Sequence, residues 1–204
     1  MAALAVFLTA LLCAVFFLPG CGNKQSVPES GAGNGSQAGR DGVTVSEFVL
    51  RSDDFTDGGG LPSASACGSQ GGDNRSPSLA WSGAPKGTTR YAIVVDDEDP
   101  PCGRGDGACR HWSVFNIPAT VTSLRSGQDI LQIAGASEGK NYLGQTGYAG
   151  PCPPSSHTYN FTAYALRSGM PGIDTGAAFN RSQFESQYGD FILGSATIRG
   201  SFGS

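Results

Sequence analysis

The sequence predicts a mainly β protein in which antiparallel sheets pack as a sandwich, together with one or two short helices. Several segments alternate apolar and polar residues with a period of two, which is typical of strands. The strand–helix–strand rhythm that produces parallel sheets is absent from the sequence. The chain also has 31 glycines and 12 prolines among well-spread aromatic residues, a composition typical of a loop-rich β domain.

Residues 90–99, RYAIVVDDED, carry the strongest strand signal in the chain. The odd-numbered residues from Tyr91 to Val95 share one face, and Ala92 and Val94 share the other, so both faces are apolar. A strand of this kind is expected at the centre of a sheet. Further strands are predicted at residues 43–50, 111–118, 157–166 and 195–203.

Two other segments complete the predicted fold. In residues 180–193, Phe184 and Tyr188 have helical spacing and Asn180 is a suitable N-cap, so a short helix is predicted there. Residues 51–83 are polar and rich in glycine, which predicts a long loop held by a few apolar anchors. Those anchors are Leu61, Leu79 and Trp81.

Residues 1–20 are predicted to be a signal peptide of the lipoprotein type. Residues 4–18 are apolar and uncharged, and this length suits the core of a signal peptide better than a membrane span of about twenty residues. The stretch LPGC that follows resembles a bacterial lipobox, which makes Cys21 the predicted lipidation site. Cleavage at another position and an uncleaved anchor are the alternatives.

A tether and one globular domain are predicted after the signal peptide. Residues 21–40 are rich in Gly, Ser, Asn and Gln and lack apolar periodicity, so we expect a flexible tether. Residues 41–204 have the length of a single domain. The expected layout is an exported protein, periplasmic or on the outer cell surface, that its lipid anchor holds to the membrane.

Four of the six cysteines lie in the predicted domain. An even number in an exported chain predicts two disulfides. Of the three possible pairings we favour Cys102 with Cys109, which closes a short loop, and this leaves Cys67 with Cys152. A zinc site is the alternative, but the C-x-x-C spacing typical of such sites does not occur, so no metal is expected.

Polar residues concentrate at the ends of the predicted strands. The parity of the central strand places Asp97 on the same face as its odd-numbered apolar residues. The only two histidines of the chain, His111 and His157, each open a strand, and His157 shares a face with Tyr159. If these strands are neighbours, the four side chains meet in a cavity suited to phosphate, sulfate or carboxylate. Solvated turn carboxylates and core histidines are the alternative interpretation.

Four segments resemble, in the same order, the signatures of the phosphatidylethanolamine-binding protein family in its bacterial, Raf-kinase-inhibitor-like branch. They are DDEDPP, RHWSVFNIP, GKNYLGQTGYAGPCPPSSHTYNFTAYAL and, more loosely, SPSLAWSGAPKGTTRYAIVV. The resemblance covers nearly all of residues 43–204. It implies a large antiparallel β domain of two sheets in a Greek-key arrangement, with short helices and a pocket for phosphate-like anions.

The resemblance also assigns the pocket residues. The D-P-D-x-P element of the family falls on residues 97–101, where Glu98 replaces the usual proline, and the G-x-x-P-P-x-x-H-x-Y element falls on residues 150–159. Glu98 adds a negative charge beside the expected anion site, which disfavours a doubly charged phosphate. The predicted ligand-binding residues are Asp97, Asp99, Pro101, His111, Gly150, Pro153, Pro154, His157 and Tyr159.

The expected function is ligand binding, with a small anion or phospholipid headgroup as the partner and no cofactor. An inhibitor or interaction protein acting through the loop of residues 102–109 is the alternative. A hydrolase using His157 or His111 as a base is disfavoured, because the G-x-S-x-G turn is absent and the cysteines are expected to be paired, so we expect no enzyme activity. The net charge of −4 and the lack of basic runs exclude nucleic acid as an expected partner.

Overall fold

The computed structural model describes residues 47–204, which form two β-sheets and one α-helix. The predicted signal peptide, the lipidation of Cys21 and the tether at 21–40 lie outside the described residues. In chain order the strands are β1 (Val49–Arg51), β2 (Gly59–Gly60), β3 (Leu79–Ser82), β4 (Thr88–Asp97), β5 (Cys109–Pro118), β6 (Ser123–Leu124), β7 (Ser137–Glu138), β8 (His157–Arg167) and β9 (Ile192–Phe202). The helix, α1 (Arg181–Tyr188), lies between β8 and β9. Within residues 47–204, no helix is both long and apolar enough to cross a membrane.

The larger sheet contains six strands in the order β2-β9-β8-β4-β5-β7, and the smaller sheet has the order β1-β3-β6. This confirms the predicted mainly β architecture of two sheets with one short helix. One short pair departs from the predicted antiparallel arrangement, since the two-residue strand β2 pairs with β9 in parallel. The other strand pairs in the described part of the chain are antiparallel.

Strand β4 is central and buried on both faces, as its apolar alternation predicted. It pairs with β5 on one side and β8 on the other. Its residues Tyr91, Ile93 and Val95 belong to the core between the two sheets, whereas Ala92 and Val94 belong to a second core that covers the opposite face. The larger sheet is therefore the middle layer of the protein.

Helix α1 begins at the predicted cap and packs on the outer face of the larger sheet. The Asn180 side chain accepts from the Gln183 amide, and the Gln183 side chain accepts from the Asn180 amide, which forms a capping box. Phe184 is fully buried in the second core. At the start of the helix, the buried carboxylate of Asp96 accepts hydrogen bonds from the Arg181 amide (2.9 Å) and from its Nε (2.7 Å).

The segment of residues 51–83 contains structure that the predicted loop did not include. Trp81 and Leu79 lie in β3, where Trp81 pairs with Leu50 and Leu79 pairs with Leu124. The two residues are buried on one face with the alternation typical of a strand. Four residues are too short a run for a period of two to stand out, which is why sequence reasoning assigned them to a loop.

Both predicted disulfides are present. Cys67 bonds to Cys152 with their Cα atoms 5.5 Å apart, and Cys102 bonds to Cys109 with a Cα separation of 5.3 Å. Two disulfides in one domain are typical of a protein exported from the cytoplasm.

Candidate functional site

Three strand ends meet at one edge of the larger sheet. Because β4 lies between β5 and β8, Asp97 at its end pairs with Cys109 on one side and with Tyr159 on the other. His111 lies two residues into β5, and His157 is the first residue of β8. Antiparallel pairing thus brings together side chains that are distant in the sequence, as predicted.

These side chains line a cavity of about 180 Å³. Its lining residues are Asp97, Pro101, Cys102, Cys109, His111, Tyr142, Cys152, Pro153, Pro154, His157 and Tyr159. The polar side chains of the floor are almost completely buried, with exposed fractions of 2% for Asp97, 3% for His111, 4% for His157 and 1% for Tyr159. Four other surface hollows are larger, at about 190 to 480 Å³, but no ionisable side chain that lines them is buried. The small cavity is therefore the candidate site.

The ion pair of His157 and Asp97 forms one side of the cavity floor. His157 Nδ1 donates to Asp97 Oδ2 over 2.7 Å, and the Asp99 amide donates to Asp97 Oδ1 over 2.8 Å. The other ring nitrogen, His157 Nε2, is buried and has no hydrogen-bond partner. Because Nδ1 carries the shared proton, Nε2 accepts in the neutral ring and donates in the imidazolium. Trp81 Nε1 and Arg110 Nε are also buried without a partner, but of the three atoms only His157 Nε2 belongs to a residue that lines the cavity, where a ligand can reach it.

His111 is held by its backbone contact and by two aromatic rings. Its Nδ1 donates to the Ala149 carbonyl over 2.7 Å, which leaves Nε2 as the acceptor of the neutral ring. The ring centroids of Tyr142 and Tyr159 each lie 4.9 Å from that of His111. Burial lowers the pKa of His111 below its ordinary value, because a charged imidazolium is poorly solvated there.

Tyr159 is a neutral phenol in the same floor. Burial raises the pKa of its hydroxyl well above the ordinary value, and the nearby Asp97 carboxylate raises it further. The phenol therefore keeps its proton at neutral pH and remains a hydrogen-bond donor.

We expect the burial of His111 to make the stability of the protein depend on pH. The unfolded ring binds a proton near pH ~6.5 while the folded ring does so only at lower pH, so stability should fall as pH decreases from about 6.5 towards the folded pKa. The slope in that window should approach ~1.4 kcal/mol per pH unit. Urea unfolding at a series of pH values measures it, and His111→Gln should flatten the curve. An unchanged slope in that variant would assign the pH dependence to another group.

Two predicted ligand-binding residues do not line the cavity. Asp99 accepts the Thr158 amide through its Oδ2 over 2.7 Å, so its side chain fixes the start of β8. Gly150 is packed against the chain near Ser65, where an added Cβ would lie 2.2 Å from the Ser65 carbonyl oxygen. These two residues hold neighbouring backbone in place outside the cavity, whereas the other seven predicted residues line it.

The expectation that Glu98 adds charge beside the anion site was wrong. Glu98 Oε2 lies 3.2 Å from the Arg181 guanidinium, and Oε1 accepts the Gly105 amide over 3.1 Å. It lines a separate hollow of about 230 Å³ that also contains Arg104. Glu98 follows the opposite parity from Asp97 along the chain, and on that side it meets the adjoining loop at Gly105 and the distant residue Arg181.

Sequence reasoning missed several wall residues. Tyr142 lies at the cavity mouth, 37% exposed, with its ring beside His111. Tyr142 belongs to the segment GKNYLGQTG, which resembles a family signature. That resemblance was the one sign of its role in the sequence, because Tyr142 lies outside any strand or helix. Three half-cystines, Cys102, Cys109 and Cys152, also line the walls. Both disulfides therefore contribute to the shape of the cavity.

The disulfide-closed loop of residues 102–109 is fixed against helix α1. The Asn180 side-chain amide donates to the carbonyls of Gly105, Asp106 and Ala108 at 3.0, 3.0 and 3.2 Å. The Ser182 hydroxyl donates to the Asp106 carboxylate over 2.7 Å. Since Cys102 and Cys109 form part of the cavity wall, the cap of α1 also supports that wall.

One cluster of acidic and imidazole groups has the spacing of possible metal ligands. Asp97, Asp99 and His157 are the one group in residues 47–204 whose possible ligand atoms lie close enough to share a metal ion, within 4.8 Å of one another. The His157 nitrogen on this side already bonds to Asp97, and an Asp99 oxygen bonds to the Thr158 amide. His157 Nδ1, both oxygens of Asp97 and one oxygen of Asp99 are thus already used in hydrogen bonds, whereas His157 Nε2 has no partner.

Fold and cavity together define a two-sheet β protein with a small polar-floored cavity at the edge of its larger sheet. The model of the family described as phosphatidylethanolamine-binding protein matches residues 51–203. The chain belongs to the phosphatidylethanolamine-binding protein family, in the branch that contains YbcL and the UPF0098 proteins. This confirms the family that the sequence segments resemble.

Two sequence relatives and two solved structures illustrate the similarity. YbcL of Escherichia coli K12 is 42% identical over 123 residues, which cover 56% of this chain and 64% of YbcL. A UPF0098 protein of Aquifex aeolicus is 32% identical over 163 residues, which cover 78% of this chain and 89% of that protein. The crystal structure of E. coli YbcL superimposes with a TM-score of 0.68 at 31% identity, covering 78% of this chain and 99% of that one. A homologue from Chlamydia trachomatis gives 0.65 at 30%, with the same coverage of both chains.

Proposed function

We propose that this protein binds a small oxyanion, such as phosphate or a phospholipid headgroup, in the cavity at the edge of the larger sheet. One observation carries the proposal. His157 Nε2 is buried in the cavity floor without a partner, while Asp97 holds the ring through Nδ1. In the imidazolium form this nitrogen is a charged donor that an anion can satisfy. Membership of the phosphatidylethanolamine-binding protein family supports the same class of ligand.

We further propose that the protein is not an enzyme and that Cys21 anchors it to a membrane. The cysteines that line the cavity are bonded in disulfides and so supply no thiolate nucleophile. Tyr159 keeps its proton because burial raises its pKa. The lipobox-like LPGC stretch and the two disulfides support export and anchoring.

Titration of the exported domain with inorganic phosphate and phosphoethanolamine tests the anion site. We expect binding that His157→Ala reduces by about tenfold or more, since a charged hydrogen bond is worth ~1.5–3 kcal/mol. Thr158→Ala is the matched control, because Thr158 is exposed on the opposite face of β8 and contributes only its backbone amide to Asp99. This control variant should bind as the parent does.

The same titration separates the main alternative function. Failure of both anions to bind, or equal binding by the His157→Ala variant, would contradict the proposal. The interaction protein acting through residues 102–109 would then be the better hypothesis. Its tip residues, Arg104 and Asp106, are exposed on a loop that helix α1 holds in place.

A further inference from the structure

We propose that the cavity selects singly charged oxyanions over doubly charged ones. The inference rests on the proposed function, because it specifies which anions the same site accepts. It follows from how few positive charges and donors the cavity offers.

The fixed charges of the cavity favour a low ligand charge. Among its lining residues, all within 47–204, Asp97 is the one carboxylate, and none is Lys or Arg. The arginines next to these elements lie elsewhere: Arg181 pairs with Asp96 and Glu98, Arg104 lines a separate hollow with Glu98 and Asp99, and Arg110, which precedes His111, is not among the lining residues. Any bound anion therefore lies beside the negative charge of Asp97 without a guanidinium or ammonium to balance it.

The two histidines supply a single positive charge between them. When His157 is protonated, its charge is balanced by Asp97 at 2.7 Å, so the pair is neutral before a ligand arrives. Burial lowers the pKa of His111, so its ring resists protonation, and its Nδ1–H donates a hydrogen bond to the Ala149 carbonyl. A monoanion thus adds one uncompensated charge to the cavity, and a dianion adds two. The second is the more costly because water is largely excluded from the floor.

Apart from the neutral hydroxyls of Tyr142 and Tyr159, the walls offer few donors to solvate a second charge. Pro101, Pro153 and Pro154 have no backbone N–H, and the disulfide sulfurs of Cys102 and Cys109 are not hydrogen-bond donors. Such walls suit the apolar substituent of a ligand. The chemistry that fits is a phosphodiester, a phosphomonoester carrying one proton, or a carboxylate.

The test compares four anions by isothermal titration calorimetry or by the NMR signals of the histidine rings. Sulfate is doubly charged and dimethyl phosphate singly charged throughout the range, acetate becomes fully singly charged only above about pH 6, and methyl phosphate changes from one to two charges near pH ~6. At about pH 5 we expect methyl phosphate to bind at least ~10-fold more tightly than sulfate, although both meet the same protonation state of the protein. Dimethyl phosphate stands for a lipid-type diester, and acetate stands for a free carboxylate.

Raising the pH provides the second comparison. Between about pH 5 and pH 8 the affinity for methyl phosphate, relative to the tighter of the two monoanions, should fall on the order of a hundredfold, which is the loss of its singly charged form. Taking this ratio cancels the titration of the protein itself. Glu98→Gln is the control: it removes a negative charge next to Asp97 in sequence but outside the cavity, and should leave the ratio unchanged.

The outcomes separate this inference from the proposed function. If sulfate binds as tightly as methyl phosphate at low pH, if the ratio is independent of pH, or if Glu98→Gln alters it, charge selection by the cavity is wrong while the anion site stands. If none of the four anions binds, the proposed function itself fails and the selectivity fails with it.

Discussion

Replacing both Cys67 and Cys152 by serine should lower the free energy of unfolding by ~4–5 kcal/mol. The two cysteines are 85 positions apart in the chain, so their bond removes much of the conformational freedom of the unfolded state. Cys102 and Cys109 are separated by only 7 positions, and the same loop-closure argument gives ~2–3 kcal/mol for their double serine variant. Urea unfolding of the two variants and the parent, all without added reductant, measures the contrast.

The Cys102→Ser, Cys109→Ser double variant is the matched control, because each variant loses one disulfide that contributes to the cavity wall. Equal losses in the two variants would mean that loop closure does not govern their stability. The Cys67→Ser, Cys152→Ser variant should also weaken anion binding, since Cys152 directly precedes the wall residues Pro153 and Pro154.

Asn180→Ala should lower the free energy of unfolding by ~2–4 kcal/mol. The side chain is completely buried and performs two tasks at once. Its oxygen caps helix α1, and its amide group satisfies three carbonyls of the 102–109 loop. Loss of the cap alone costs ~1 kcal/mol, and the remainder comes mainly from the buried Ala108 carbonyl, which loses its donor; the Gly105 carbonyl still accepts from the Ala108 amide.

Asn180→Ser separates the two tasks. Serine is a good helix cap but has no amide to donate to the loop carbonyls, so it should recover only about 1 kcal/mol of the loss. Thermal or urea unfolding of both variants checks this division. Full recovery by serine would show that the contacts with the loop contribute nothing, and the loop would then owe its position to its disulfide and its own backbone.

Long periodic segments made much of this fold predictable. The two apolar faces of β4 identified a central strand, and its parity placed Asp97 on the correct face. The pairing of the four cysteines was also predicted. A bond between Cys102 and Cys109 closes a short loop, and it leaves Cys67 and Cys152 to pair with each other. The convergence of His111, His157 and Tyr159 was predicted on the condition that their strands lie close together in one sheet, an arrangement that the family resemblance supported.

The rest depended on contacts between segments that are distant in sequence. Glu98 turns away from the cavity because Arg181 and the Gly105 amide bind it there, and neither partner is visible from the acidic run itself. Tyr142 lies in a turn without periodicity, so nothing in its neighbours indicated that it borders the cavity. Gly150 matched a family motif, but glycine is required there for a steric reason: the backbone at Ser65 passes too close to leave room for a side chain.

Asp96 and Asp97 are adjacent, equally buried, and directed to opposite faces of β4. Asp96 accepts a hydrogen bond from the first turn of α1, and Asp97 accepts one from His157. A slip of β4 by a single residue would carry each aspartate to the opposite face, so neither Arg181 nor His157 would keep its present carboxylate, and the two apolar faces of the strand would be exchanged. The two aspartates therefore make helix docking and cavity assembly depend on the same register of β4. We expect the two to be gained or lost together.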